Sequence, residues 1–370
     1  MKAPWRLYRG KAIEAKVFRA NVYFSKEAEM SIAGNSVGID YHDQSLQVHV
    51  MSGTGQVVGM RRCKNSVGDV ASFIARYGSV SGVAIEACTG SASFADALRI
   101  ETGWTVRLCH PGYVQRMRHN PDKSDCSDAF LLSDLNRVGY LPEVWLAPEW
   151  IRDLRSLVRY RRQIVDQRKQ VKLRIRSILR LYRLKAPVTI KNIWMRGGLS
   201  WLRSLRGLPE HTQWLFQRQL DDLDQLNVAI KEISKRLESV VLKDVLASEL
   251  LKRKGIGVYT AAVLRAEIGT FTRFSRGKQL SRFCAVSPRN CSSGERQADA
   301  GLVKAGSSLL KTAVIEVAHS LVRHDSHWRN FAIKLRSQGK PYGVIVGAVA
   351  NRWLRKLYHE MIGFEQQMAA

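Results

Sequence analysis

Ser36-Val37-Gly38-Ile39-Asp40, followed closely by Leu46-Gln47-Val48-His49-Val50-Met51, decides the fold. The first stretch is a short apolar run ending in an acid, and the second alternates as a strand does. Gly53-Thr54-Gly55 reads as a hairpin turn and Gln56 to Arg61 as a third strand. A helix is expected over Val67 to Tyr77. Val83-Ala84-Ile85-Glu86 is another buried strand ending in an acid. A helix from Ala92 to Ile100 and a strand over Thr105 to Cys109, closed by His110-Pro111-Gly112, complete the pattern. A β-hairpin platform followed by alternating α and β implies a mixed sheet flanked by helices.

Asp40 and Glu86 thus end central strands, at the edge where open α/β sheets bind ligands. An unpaired carboxylate near a core is costly, yet each acid alone serves equally well as a turn residue or a ligand. A third stretch, Lys123-Ser124-Asp125-Cys126-Ser127-Asp128-Ala129-Phe130-Leu131-Leu132, heads a helix. Its two acids, three apart, share one face. They could cap that helix and answer its dipole, or share a cation such as Mg²⁺, which takes oxygen ligands. Taken together, Asp40, Glu86, Asp125 and Asp128 stand in the order expected of a two-metal nuclease. Such a set holds two Mg²⁺ about 4 Å apart.

Composition points to an anionic partner. The chain has 370 residues, a formal net charge of +27 and 45% hydrophobic residues. That length suits two or three domains, and the apolar content marks a folded protein, not a basic tail. Nucleic acid is the partner such charge favours; a generally solvated basic surface is the plainer alternative. No apolar run approaches the roughly 18 residues of a membrane span, and Met1 to Arg19 has no signal-peptide core, so a cytoplasmic location is expected. The six cysteines form no CxxC pair and no zinc-spaced cluster, so neither disulfides nor zinc are expected.

Residues 1–33 form a basic extension whose Val17 to Phe24 stretch reads as a strand, an arm on another subunit, or disorder. Trp150 to Tyr182 is a long amphipathic helix with Ile151, Leu154, Val158, Val165, Val171, Ile175 and Ile178 inward. Its outer face carries Arg159, Arg161, Arg162, Arg168, Lys169, Lys172, Arg174, Arg176 and Arg180, against only Asp153 and Asp166. Phosphate contact suits so one-sided a charge. Trp194 to Pro209, with Gly197-Gly198, reads as an irregular insertion. Leu220, Leu223, Leu226, Ile230, Ile233, Leu237 and Val240 form a coiled-coil seam, the partner of the basic helix or of another subunit.

Lys254 to Ala262 has the spacing of a helix-hairpin-helix turn, in which Gly255 and Gly257 let backbone N–H groups approach a phosphate. It could also be a plain helix connection. Phe283 to Gly294 reads by composition as a loop, near which Arg289, Arg296 and Lys304 could clamp a phosphate. A helix is expected from Ser308 to Arg323, and His319, His324 and His327 read as packing or phosphate-contact residues.

Gly38-Ile39-Asp40, Ile85-Glu86-Ala87 with Thr89-Gly90, and Lys123 to Ala129 closely resemble the DEDD transposases of bacterial insertion sequences. That family is guided by a bridge RNA and is related to the DNA invertase Piv. Gly255-Ile256-Gly257, Ala285 to Pro288, Ser293-Gly294, Lys304-Ala305-Gly306, and Gly339-Lys340 with Gly347-Ala348 resemble its C-terminal transposase domain. The resemblance covers roughly 36–150 and 253–360. One departure is Cys88, which stretches the turn after Glu86 by a residue. The resemblance implies an RNase H-like, RuvC-like α/β domain over 34–149 and a mainly helical transposase domain over 253–370, with the basic helix and coiled coil read above lying between them over 150–252. It makes Asp40, Glu86, Asp125 and Asp128 the metal ligands and Ser293, with Ser292 as rival, a nucleophile that joins covalently to DNA. It further implies DNA donor and target sites, a structured guide RNA and a homo-oligomer, dimer or tetramer. The basic helix is then the candidate RNA surface. Two other readings remain: a junction resolvase using water, and a non-catalytic nucleic-acid-binding protein.

Overall fold

The structure is a computed structural model that describes residues 34–117, 124–290 and 299–369. The chain divides into two compact units, Met1–Leu146 and Ala147–Ala370.

In the first unit, β1 (Asn35–Tyr41), β2 (Ser45–Met51) and β3 (Val57–Lys64) form an antiparallel meander. Helix α1 (Val67–Ile74) and a 3₁₀ turn lead to β4 (Val80–Glu86), then α2 (Ser91–Thr102), β5 (Val106–Cys109), α3 (Pro111–Met117), α4 (Asp125–Arg137) and the short β6 (Glu143–Val144). The sheet order is β3-β2-β1-β4-β5-β6, with β1, β4 and β5 parallel. This is the mixed sheet that the alternation predicts.

Side-chain alternation sorts the two faces. Val37, Ile39, Val83 and Ile85 pack with Val70, Phe73 and Leu98 of α1 and α2. The opposite face presents Gly38, Ala84 and Cys109 to α3 and α4, whose Val114, Leu132 and Leu135 cover it. Gly38 lets α4 lie directly on β1. A Cβ there would fall 2.0 Å from the Ala129 carbonyl oxygen and 2.5 Å from the Ser133 nitrogen. Farther along α4, the Asn136 amide donates to Ser36 Oγ (2.8 Å) and to the Gly82 carbonyl (3.0 Å). Its oxygen accepts from Arg107 (3.1 Å).

Among the described residues, the second unit is helical apart from one antiparallel pair of strands. It runs α5 (Glu149–Leu181), α6 (Arg196–Ser204), α7 (Glu210–Lys243), α8 (Val245–Leu251), α9 (Val258–Ile268) and α10 (Gly277–Phe283). Strands β7 (Pro288–Asn290) and β8 (Asp299–Leu302) then precede α11 (Ser308–His324), α12 (Ser326–Ser337) and α13 (Tyr342–Ala369). Helices α5 and α7 lie antiparallel, tied by Arg161 to Ser234, Arg168 to Asn227 and Tyr182 to Thr212. The seam helix is therefore the partner of the basic helix within one chain. Helix α9 is the unit's axis, since every residue from Ala261 to Ile268 is buried. Even its charged pair is partnered: Arg265 binds Asp244 (3.0 Å) and Glu267 meets Arg159 (3.3 Å).

Three details differ from the sequence reading. The stretch Trp194 to Pro209 contains α6, because Gly198 is a packing glycine: its Cβ would sit 2.3 Å from Ile193 Cα. On α5 Ile164 and Leu179 are buried with Ile151, Leu154, Val158, Val171 and Ile175, while Val165 and Ile178 lie at the edge of the core. On α7 the seam starts at Phe216 and ends at Val241. No described helix is long and apolar enough to cross a membrane.

Candidate metal centre

Asp40 is on β1, two residues from Gly38, so both face α4. The parallel register Gly38 to Ala84 and Ile39 to Ile85 puts Asp40, next to last in β1, and Glu86, last in β4, on that same face. Helix α4 brings the other two acids. Its inward stripe (Asp125, Asp128, Leu132, Asn136) is spaced by threes and fours, so the helix that Gly38 admits and Asn136 anchors points its head at the C-terminal edge of β1.

Neither acid at that head is the helix cap. Ser124 caps α4 by accepting from the Ser127 N–H (3.1 Å), and Ser127 Oγ accepts from the Ser124 N–H (3.2 Å), a reciprocal capping box. Asp125 and Asp128 occupy the first turn without that duty. Asp128 is 2% exposed and Asp40 7%, while Asp125 is half-exposed.

The electrostatics are those of crowded carboxylates. Burial raises the Asp40 carboxyl above its ordinary value; His42 pulls it down, and Asp128 and Asp125 push it up further. The Cys88 thiol, although exposed, is raised first by partial desolvation and further by the charges of Glu86 and Asp40. Glu86 also helps to hold the buried Cys109 thiol up at about 12, behind burial as the larger cause. The extra residue in the Glu86 turn is absorbed locally. Ser91 Oγ donates to the Cys88 carbonyl (2.9 Å) and accepts from its N–H (3.0 Å). Gly90 stands at φ +88° where a Cβ would meet the Tyr41 hydroxyl at 2.6 Å. Glu86 keeps its place at the strand end.

His42 joins the cluster, a residue the sequence reading passes over. Its Nε2 lies 3.2 Å from Asp40 and 3.4 Å from Asp125. Ligand atoms of Asp40, His42 and Asp125 all fall within 4.8 Å of one another. The available signal was its position two residues beyond Asp40, on the same side of the chain. Oxygen-rich, mutually repelling and partly desolvated, this donor set suits a hard divalent cation.

The residues expected to meet nucleic acid are on the second unit, and many already have protein partners. Arg159 pairs with Glu267, Arg162 with Asp166 (2.8 Å), and Arg168 with Asn227 (3.2 Å). Lys172 and Arg176 lie over the Trp194 ring at 5.0 and 5.5 Å. Lys169, Arg174 and Arg180 are exposed. Gly255 (φ +83°) turns the chain between α8 and α9, and Gly257 is the uncapped N-cap of α9.

Pro288 pairs with Leu302 and Asn290 with Asp299 in an antiparallel pair of strands. Ser292, Ser293 and Arg296 lie outside the described residues. Arg289 is on one stem and Lys304 just beyond the other, both exposed. His319 Nδ1 is 2.9 Å from the Tyr342 hydroxyl and His327 packs edge-on to Trp328.

Two family models match this chain. A transposase model of the DEDD type named for IS110 matches residues 37–184, and that of the IS116/IS110/IS902 transposase family matches residues 247–332. A probable family 20 transposase of Pseudomonas aeruginosa is 26% identical over 333 residues, covering 87% of this chain and 95% of its own. The transposase of insertion sequence element IS1111A from Coxiella burnetii is 25% identical over 290 residues, 78% of each chain. That of element IS1328 from Yersinia enterocolitica is 23% identical, over 76% of this chain and 82% of its own.

Proposed function

The chain belongs to the IS110 family of DEDD transposases and is a DNA transposase, and on that premise we propose how it cuts and rejoins DNA. In this reading residues 34–149 are an RNase H-like, RuvC-like domain, whose Asp40, Glu86, Asp125 and Asp128 hold two Mg²⁺. When bound, those cations polarise the scissile phosphate and ease deprotonation of the attacking hydroxyl. The four carboxylates bind and orient them, and His42 steadies Asp40 and Asp125.

Ser293, in the domain over 253–370, is the nucleophile. As its Oγ–P bond forms, the P–O3′ bond breaks; the serine proton passes to solvent, and the leaving oxygen takes one to become a free 3′-hydroxyl. Attack by a partner strand's 3′-hydroxyl on the phosphoserine then makes a new P–O3′ bond and restores the serine. No phosphodiester is hydrolysed. Acids of one subunit serve the serine of another, within a homo-oligomer that joins two DNA sites.

A structured guide RNA selects those sites in this reading, which the net charge of +27 and the basic α5 support. The observation that carries the whole is the gathering of Asp40, Asp125 and Asp128 at one sheet edge, with Glu86 ending the next strand. The test is recombination in cells with native flanking DNA, sequencing joined element ends for wild type, Asp40→Ala and Ser293→Ala. Junctions from wild type alone support the composite site. Junctions from Ser293→Ala make Ser292 or water the nucleophile.

A further inference from the structure

Helix α7 looks in sequence like the less basic partner of α5, yet it sends two lysines to one place. Lys231 and Lys235 of α7, Arg161 of α5 and Tyr259 in the first turn of α9 line a cavity of about 640 Å³. Arg161 is fixed there. Its Nε donates to the Ser234 hydroxyl (3.0 Å), and its guanidinium lies 4.0 Å over the Tyr259 ring. A guanidinium held in this way keeps its remaining N–H donors oriented and loses little freedom on meeting an anion.

The cavity also adjoins the start of α9, an 11-residue helix whose N-cap, Gly257, offers no side chain to the first-turn N–H groups. Those groups and the helix dipole favour an anion. Three cations face one carboxylate, Glu238, on the cavity wall. Elsewhere on α5, Arg159 and Arg162 pair with carboxylates and Arg168 with an amide.

We propose that this cavity, where α5, α7 and the head of α9 meet, binds a backbone phosphodiester group of a nucleic-acid strand. Lys231 and Lys235 supply charge, and Arg161 is the oriented fork. The inference rests on the nucleic-acid-handling reading above and adds to it a defined contact point on α7. RNA and DNA share this group. Contact is to the backbone, so it is indifferent to base sequence.

The test is fluorescence anisotropy over a salt series, using the full chain with a labelled RNA hairpin and, separately, a labelled DNA duplex. Lys231→Gln with Lys235→Gln should weaken binding about tenfold, and should lower the slope of log K against log [salt] by about one. Lys243→Gln with Lys334→Gln removes equal charge from exposed positions outside the cavity and should leave the slope as in wild type. Arg161→Lys keeps its charge and should still weaken binding, whereas Glu238→Gln should tighten it. Thermal melts check that each variant is folded.

The probe that responds, RNA or DNA, names the strand held. An unchanged slope in the cavity variant, or an equal loss in the control pair, overturns the inference while wild-type binding keeps the broader reading. No binding by wild type to either probe overturns both.

Discussion

The Cβ that Gly38 lacks would stand 2.0 Å from the carbonyl oxygen of Ala129. Any side chain there meets backbone, which cannot rotate away. Gly38→Ala should therefore push α4 off β1, at a cost near or above the upper end of the overpacking range, about 3 kcal/mol. Urea denaturation followed by circular dichroism would measure it. Ala129→Gly should not rescue the variant, because the carbonyl remains. A midpoint equal to wild type would mean that α4 slides freely, contrary to the contact.

Asp40→Asn should separate stability from activity. The Asp40 carboxyl titrates above its ordinary 3.8, chiefly through burial. A native state that holds a proton more tightly than the unfolded chain loses stability as pH rises from 3.8 through the raised value. At neutral pH the metal-free protein carries that penalty in full, and Asn removes it. We expect the metal-free variant to gain about 1 kcal/mol, to lose the rise in melting temperature that Mg²⁺ gives wild type, and to make no junctions. A wild-type-like Mg²⁺ shift in this variant would remove Asp40 from the ligand set.

Ser124→Ala deletes the cap of α4, at a cost of about 1 kcal/mol; Ser124→Gly should cost only a few tenths. Both lose the hydroxyl that accepts from Ser127, and so loosen the turn that carries Asp125 and Asp128. Junction formation should fall more in either variant than the melting temperature suggests. Equal, proportionate losses would make the cap a matter of stability alone.

His42→Ala should weaken the site without emptying it. Its imidazole lies beside Asp40 and Asp125, and loss of such a supporting group typically costs about 10–100-fold in metal affinity or activity. A Mg²⁺ titration of junction formation should shift to higher concentration and reach much of the wild-type plateau. A plateau collapse at unchanged midpoint would instead assign His42 to proton handling.

The sheet and two of its acids were legible because alternation is a local signal. Asp40 and Glu86 end runs whose buried partners lie within a few residues. The role of Ser124 was not, since an acid and a serine at a helix head offer the same kind of cap until the hydrogen bonds are drawn. Nor was α6: Gly197-Gly198 looks like a breaker, and only contact with Ile193 makes Gly198 a packing residue. The fate of the α5 cations was least visible. Arg159 meets Glu267 and Arg161 meets Ser234, partners far along the chain, so periodicity shows which residues face outward and not which are already engaged.

Asn136 lies about two turns along α4 from Asp128 and grips Ser36, Gly82 and Arg107 together. The next arrangement that could seat the same stripe on the sheet is a whole helical turn away, about 5.4 Å. A metal site tolerates only a few tenths of an ångström, so α4 behaves as a key with one tooth: engaged or not. Changes along this interface should therefore sort variants into competent and dead classes, with few of intermediate activity. An insertion or deletion between Asp128 and Asn136 should abolish activity whichever residue it adds or removes.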